Sequence, residues 1–267
     1  MRLAFLGTPT MSVPPLEALV AGGHDVALVV TGADKRRGRG GATSPSPVKA
    51  AAERLDIPVS HDVDDVIGIG ADLGVVVAYG RLVRPHVLDA VPMVNLHFSL
   101  LPRWRGAAPV ERALLAGDEV TGVCVMDVEV GLDTGGVHAR VDVPIGSTTT
   151  ADELRSELVT VGSRLLVETL ERGLGTPEPQ VGSAVYAAKI SPAELRIDWS
   201  APPEQIDRLI RLGGAWTTFR GERCKIHAAE LVDGTIVPTV VQPAGKPRMD
   251  ADAWRNGARL AEGEWFE

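Results

Sequence analysis

Three short runs of the chain, Arg2 to Leu6, Val26 to Val30 and Leu73 to Ala78, are apolar almost throughout. A strand with one wet face alternates apolar and polar residues, whereas a strand covered on both faces does not. These runs predict strands in a sheet buried on both sides. Helical signals lie between them. Ser12 to Ala21 places Pro14 and Pro15 in a first turn, where proline is tolerated. Ser46 and Pro47 read as the N-cap and first residue of a helix that runs to about Leu55. Met93 to His97 is a fourth, shorter strand, and Thr121 to Asp127 and Gly136 to Val143 are further candidates. Buried strands alternating with helices specify an α/β fold, a doubly wound, Rossmann-like, mostly parallel sheet.

The pattern changes after one long helix. Thr150-Ala151-Asp152-Glu153 has the form of a capping box, and Leu154, Leu158, Val161, Leu165 and Leu170 follow at roughly helical spacing, to about Glu171. Gly173 to Ser183 is rich in Gly, Pro, Thr and Ser and reads as a linker. Beyond it, strand-like runs at Tyr186 to Ile190, Leu195 to Trp199, Thr217 to Phe219, Arg223 to Ala228 and Ile236 to Val241 surround one helix, Pro203 to Leu212. The expected organisation is an α/β domain over residues 1–172, a linker over 173–183, and a small, mostly β domain over 184–267.

The N-terminus lacks the apolar region and cleavage site of a secretory signal, and no apolar run approaches the ~20 residues of a membrane helix. A cytoplasmic protein with no membrane contact is expected. Cys124 and Cys224 are far apart, which argues against a disulfide framework. His24, His61, His86, His138 and His227 have no ligand spacing, so no metal is expected. The formal net charge is -8, so any nucleic-acid contact must come from a local patch. From Ala184 onward 11 Lys and Arg balance 12 Asp and Glu, which leaves the excess acid in the N-terminal part.

Gly7 is followed by Thr8-Pro9-Thr10-Met11, so the glycine-rich dinucleotide fingerprint is absent after the first strand. The informative stretch is Asn95-Leu96-His97-Phe98-Ser99-Leu100-Leu101-Pro102-Arg103-Trp104-Arg105-Gly106-Ala107-Ala108-Pro109. Asn95 and His97 are two apart on a strand and face the same side, at the strand end where open α/β sheets bind ligands. Alone, the pair reads more readily as a capped strand end with a structural histidine. Asp133, in Gly131-Leu132-Asp133-Thr134-Gly135, reads alone as a turn residue. Together the three suit acyl transfer to an amine. Asn95 and protonated His97 can donate to a tetrahedral oxyanion, and Asp133 can hold the imidazolium and shuttle protons.

These motifs resemble those of the methionyl-tRNA formyltransferases, members of the 10-formyltetrahydrofolate-dependent formyltransferases. The resemblance covers nearly the whole chain, including Phe5-Leu6-Gly7-Thr8-Pro9, Ser44-Pro45-Ser46-Pro47-Val48-Lys49, Val77-Ala78-Tyr79-Gly80 and Ile197-Asp198-Trp199. It implies catalytic roles for Asn95, His97 and Asp133. It implies a folate site lined by Ser99, Leu100, Leu101 and Pro102, with the strand end Val77, Ala78, Tyr79 and Gly80 contacting the pterin. The cosubstrate would be 10-formyltetrahydrofolate, with no metal, and the partner methionyl initiator tRNA bound by a monomer.

Asp34-Lys35-Arg36-Arg37-Gly38-Arg39-Gly40-Gly41 carries four cations in five residues on an acidic chain. Read alone it is a solvated loop or an RNA grip, since cations at phosphates release counterions. In the resembled family a basic loop here enters the acceptor stem, which assigns tRNA binding to Lys35, Arg36, Arg37 and Arg39, with Arg39 the best match. The C-terminal domain would add phosphate contacts from candidates such as Lys189, Arg220, Arg223, Lys225, Lys246 and Arg248. That domain, OB-like in the family, is shortened: Leu231 to Thr235 is a brief link, and a barrel missing a hairpin leaves an open edge. Two other readings compete. A formyltransferase for a small amine, such as an amino-sugar nucleotide or glycinamide ribonucleotide, needs neither the basic loop nor the second domain. A non-catalytic folate-binding module does not need the trio.

Overall fold

A computed structural model describes residues 1–36, 43–261 and 263–267. The strands are β1 (Arg2–Gly7), β2 (Asp25–Val30), β3 (Lys35–Arg36), β4 (Thr43–Ser44), β5 (Val59–Ser60), β6 (Leu73–Val77), β7 (Met93–His97), β8 (Arg105–Gly106), β9 (Val120–Asp127), β10 (Val137–Pro144), β11 (Tyr186–Ala187), β12 (Trp216–Phe219), β13 (Glu222–Val232), β14 (Thr235–Pro243) and β15 (Met249–Asp250). The α-helices are α1 (Val13–Ala21), α2 (Pro47–Arg54), α3 (Pro85–Ala90), α4 (Pro109–Ala116), α5 (Ala151–Arg172), α6 (Pro203–Leu212) and α7 (Ala251–Ala258).

The chain divides into two compact units. The first comprises Met1–Pro109, Val120–Pro144 and Arg155–Ala187. Its sheet has the order β10-β9-β7-β6-β1-β2-β5. The pairs β5–β2, β2–β1, β1–β6 and β6–β7 are parallel, and β7–β9 and β9–β10 are antiparallel. The apolar runs are buried as their composition requires: all five residues of β6 are buried, and Leu3, Ala4, Phe5 and Leu6 of β1 are fully so. Capping chemistry sets the helix starts. Ser46 Oγ accepts the Lys49 N–H at 3.0 Å, and Thr150 and Glu153 exchange the two bonds of a capping box, at 2.9 and 3.3 Å. The segment read as a linker is part of this unit, because Glu178 and Val137 exchange backbone bonds of 2.8 Å each. Tyr186–Ala187 also belongs here, paired in parallel with β8.

The second unit comprises Val110–Glu119, Ile145–Leu154 and Ala188–Glu267. Its sheet is an antiparallel meander, β12-β13-β14-β15. The helices α6 and α7 contribute Ile206, Ile210 and Trp254 to a core with Ile226, Val241 and Phe266. The domain is thus a reduced β structure, an open sheet in place of a closed barrel. Its β12 edge is covered rather than bare. Trp216 N–H donates to Leu195 O and Ile197 N–H to Trp216 O, while Thr218 and Glu267 pair through their backbones. The run Leu195 to Trp199 is therefore an edge cover with a single bridge, at Arg196, rather than a strand. A two-residue turn at Asp233 and Gly234, both at positive φ, closes the β13–β14 hairpin. Among the described residues no helix is long and apolar enough to cross a membrane.

Candidate active site

Asn95 and His97 project from the end of β7, which lies between β6 and β9 in the first unit. His97 is buried and Asn95 half-buried. The loop leaving β9 begins beside the start of β7, where Val128 N–H donates to Met93 O. It then folds back so that Asp133 meets both side chains. Asp133 Oδ2 lies 3.7 Å from Nδ1 of His97, and Asn95 Nδ2 lies 3.5 Å from Asp133 Oδ1. The three residues singled out in the sequence therefore come together. The carboxylate is near enough to pair with a charged ring, but not in a short hydrogen bond with it.

Two backbone groups, neither of them anticipated from the sequence, fix this arrangement. Trp104 O stands 2.9 Å from His97 Nε2. A carbonyl only accepts, so Nε2 carries the proton and Nδ1 is the nitrogen turned to Asp133. Gly106 N–H donates to Asp133 Oδ2 at 2.7 Å. Both groups are aimed by unusual backbone: Trp104 has φ 63° and Gly106 φ 113°. A Cβ at Gly106 would lie 3.1 Å from Ala187 O, so the close approach of β11 as well as the dihedral calls for glycine. Asp133 itself is left-handed, at φ 51°. No property of the residue letters announces these peptide groups.

Of the two segments expected to line the folate site, one follows His97 directly in the chain and the other ends β6, the strand paired with β7, and most of their side chains are turned inward. Ser99 is fully buried and its Oγ donates to Arg103 O at 2.6 Å. Leu101 packs with Cys124, Met126 and Val137. The Leu100 side chain lies against Gly122. Pro102 is half-buried and its carbonyl accepts the Val185 N–H at 3.2 Å. At the end of β6, Val77 and Tyr79 are buried, and burial pushes the Tyr79 hydroxyl above its ordinary value. Ala78 (φ 46°) and Gly80 (φ 77°) turn the chain there. Ser12 Oγ donates to Val77 O at 2.7 Å and Thr8 Oγ1 to Tyr79 O at 3.3 Å.

Of the cations assigned to tRNA, Lys35 and Arg36 form β3, paired antiparallel with Thr43 and Ser44 of β4. Arg37 and Arg39 lie outside the described residues. Just before β3, Asp34 forms an ion pair of 2.7 Å with Lys49, and that bond raises the Lys49 amine above its ordinary value. Among the described residues no three His, Cys, Asp or Glu side chains form a group that could hold a metal ion.

The formyl transferase family matches residues 1–170, and the formyl transferase C-terminal domain matches residues 189–236. The methionyl-tRNA formyltransferase of Roseobacter denitrificans is 43% identical over 303 aligned positions, covering 100% of this chain and 99% of its own. That alignment is longer than the 267 residues here, so the relative carries residues that this chain lacks. The methionyl-tRNA formyltransferase of Dinoroseobacter shibae is 48% identical over 252 residues, 88% of this chain and 84% of its own. A solved structure, methionyl-tRNA formyltransferase from Clostridium thermocellum, shares the fold with a TM-score of 0.68 at 17% identity, over 91% of this chain and 98% of that one.

Proposed function

The chain belongs to the formyl transferase family, and from that premise we propose that it moves the formyl group of 10-formyltetrahydrofolate to the α-amino group of methionyl initiator tRNA. It is a formyl transferase, a one-carbon enzyme, and its relatives along the whole chain are methionyl-tRNA formyltransferases. The observation that carries the reading is the convergence of Asn95, His97 and Asp133, with Asp133 3.7 Å from the ring. We place the reaction in the cytoplasm and assign it to a monomer.

The amine nitrogen bonds to the formyl carbon, the carbonyl oxygen becomes an oxyanion, and the bond to the folate nitrogen then breaks. The proton lost by the amine balances the proton gained by the leaving nitrogen. Asn95 has two amide hydrogens; one points towards Asp133 and the other is available to the oxyanion. His97 has its Nε2 proton engaged by Trp104 O, so its work is done at Nδ1. A proton there donates to the oxyanion as charge develops, while Asp133 stabilises the imidazolium and relays the proton. The Gly106 N–H orients the Asp133 carboxylate through its bond to Oδ2. Ser99 Oγ donates to Arg103 O, and amine attack needs no side-chain nucleophile.

Pterin recognition is assigned to the main-chain groups of Val77, Ala78, Tyr79 and Gly80, with Ser99, Leu100, Leu101 and Pro102 shaping the opposite wall. For tRNA, the basic residues Lys35, Arg36, Arg37 and Arg39 supply phosphate contacts. Arg223 and Lys225 of β13, across from Thr218 and Trp216, add cations on the second unit, with Arg223 4.2 Å over the Trp216 ring. Arg220 is paired with Glu264 through two bonds of 2.6 and 2.7 Å.

The test is a formyl-transfer assay with 10-formyltetrahydrofolate and methionyl initiator tRNA, with uncharged tRNA as control. Folate release that depends on the charged tRNA is expected. Turnover on small amines with none on the tRNA would replace this reading with the small-amine one.

A further inference from the structure

The proposed chemistry needs the Asp133 carboxylate to remain beside His97, yet Asp133 sits in a loop at a left-handed φ of 51°. The Gly106 N–H holds only the side chain. The peptide groups around Asp133 are held from elsewhere, by Gln180. Its Nε2 donates to Asp133 O at 2.9 Å and to Gly135 O at 2.8 Å. Its Oε1 accepts from Arg105 Nε at 3.1 Å and Nη2 at 2.6 Å. The amide thus uses both donors and both acceptor positions. Arg105 directly precedes Gly106, the residue whose N–H grips the carboxylate. One side chain therefore joins the two loops that meet at Asp133. Its own segment is fastened to the sheet through the Glu178–Val137 pair, and a Cβ on Gly136 would come within 2.7 Å of Pro177.

We infer that Gln180 is a positioning residue for formyl transfer, setting the backbone of the Asp133 turn and, through Arg105, the peptide that anchors its carboxylate. It touches neither His97 nor Asn95 and acts through Asp133. Displacements near 1 Å in such a constellation are enough to slow a reaction by about two orders of magnitude. This inference rests on the function proposed above.

Gln180→Glu isolates the donor role. It keeps the size of the side chain and an acceptor for Arg105, but it cannot donate, and it faces two carbonyl oxygens with a carboxylate. Its kcat for formyl transfer to methionyl-tRNA is expected to fall roughly 10- to 100-fold, with KM for both substrates within about two-fold of the unaltered protein. The folate dissociation constant and the thermal midpoint serve as controls. Failure of the unaltered protein to transfer formyl to methionyl-tRNA would sink the proposed function. Transfer by that protein together with equally fast transfer by Gln180→Glu would sink the positioning role alone. A loss of kcat matched by losses of folate affinity and thermal stability would mark Gln180 as ordinary packing and also overturn the inference. Gln180→Met, of similar length and without charge, carries the same test if Gln180→Glu does not fold.

Discussion

Gly106 donates its backbone N–H to Asp133 Oδ2 at 2.7 Å, while His97 Nδ1 stands 3.7 Å from the same oxygen. The carboxylate is anchored to a peptide and offered to the ring. Asp133→Asn can keep an oxygen towards Gly106 while removing the charge that faces His97. Its kcat is expected to drop on the order of 10²- to 10⁴-fold, the usual worth of a positioned proton-transfer group, with folate affinity kept. Single-turnover transfer measures this, and a loss below about ten-fold would count against the role.

Asn95 is placed to meet the oxyanion with the amide hydrogen not aimed at Asp133. Asn95→Ala removes that donor, and a loss on the order of 10²- to 10³-fold in kcat is expected. Because the interaction strengthens only as charge develops, KM for folate should move little. Equal losses in binding and turnover would recast Asn95 as a ground-state contact.

Replacing Lys35, Arg36, Arg37 and Arg39 with Ser should weaken tRNA binding and flatten its dependence on salt, by roughly one unit of logarithmic slope for each phosphate no longer neutralised. Folate binding should not change. A salt slope equal to that of the unaltered protein would return this basic run to the solvated reading.

The parts of this molecule that were readable in the sequence share a cause: a side chain dictates the outcome. Whole-length apolar runs specify β1, β2 and β6, Ser46 and Thr150 name the helix starts, and the apolar spacing from Leu154 to Leu170 gives the length of α5. The α3 and α4 helices have 6 and 8 residues, too few to repeat a periodicity. Around the site, the types and spacing of Asn95 and His97 suffice to bring them forward. The carbonyl of Trp104 and the N–H of Gly106 do not stand out, because every peptide has both groups. Gln180 acts across 47 positions from Asp133, out of a stretch whose composition reads only as a connector.

In the second unit Arg112 donates to Glu194 at 2.8 Å, and the Ser191 N–H reaches the same carboxylate at 2.8 Å. The Arg112 bond, followed by those from Ser191, holds the Glu194 carboxyl at about 2, against an ordinary 4.5. A folded value below the unfolded one stabilises the fold above pH 4.5, and that stability is lost as pH falls from 4.5 towards 2. Glu194→Gln should therefore lose less stability than the unaltered protein between those values. Denaturant midpoints taken across that pH window test it; the two curves running parallel would refute it. Partial exposure of both side chains and screening by salt keep the difference small.

The bend at Asp233 and Gly234 has Leu231 and Val232 before it, about half exposed at 49% and 46%. Residues spliced into that bend would lengthen a two-stranded arm outward and leave Ile226 and Val241 in their core. The tip is thus where this domain can grow or be trimmed over evolutionary time, or receive a reporter in the laboratory, with its hydrophobic interior left intact.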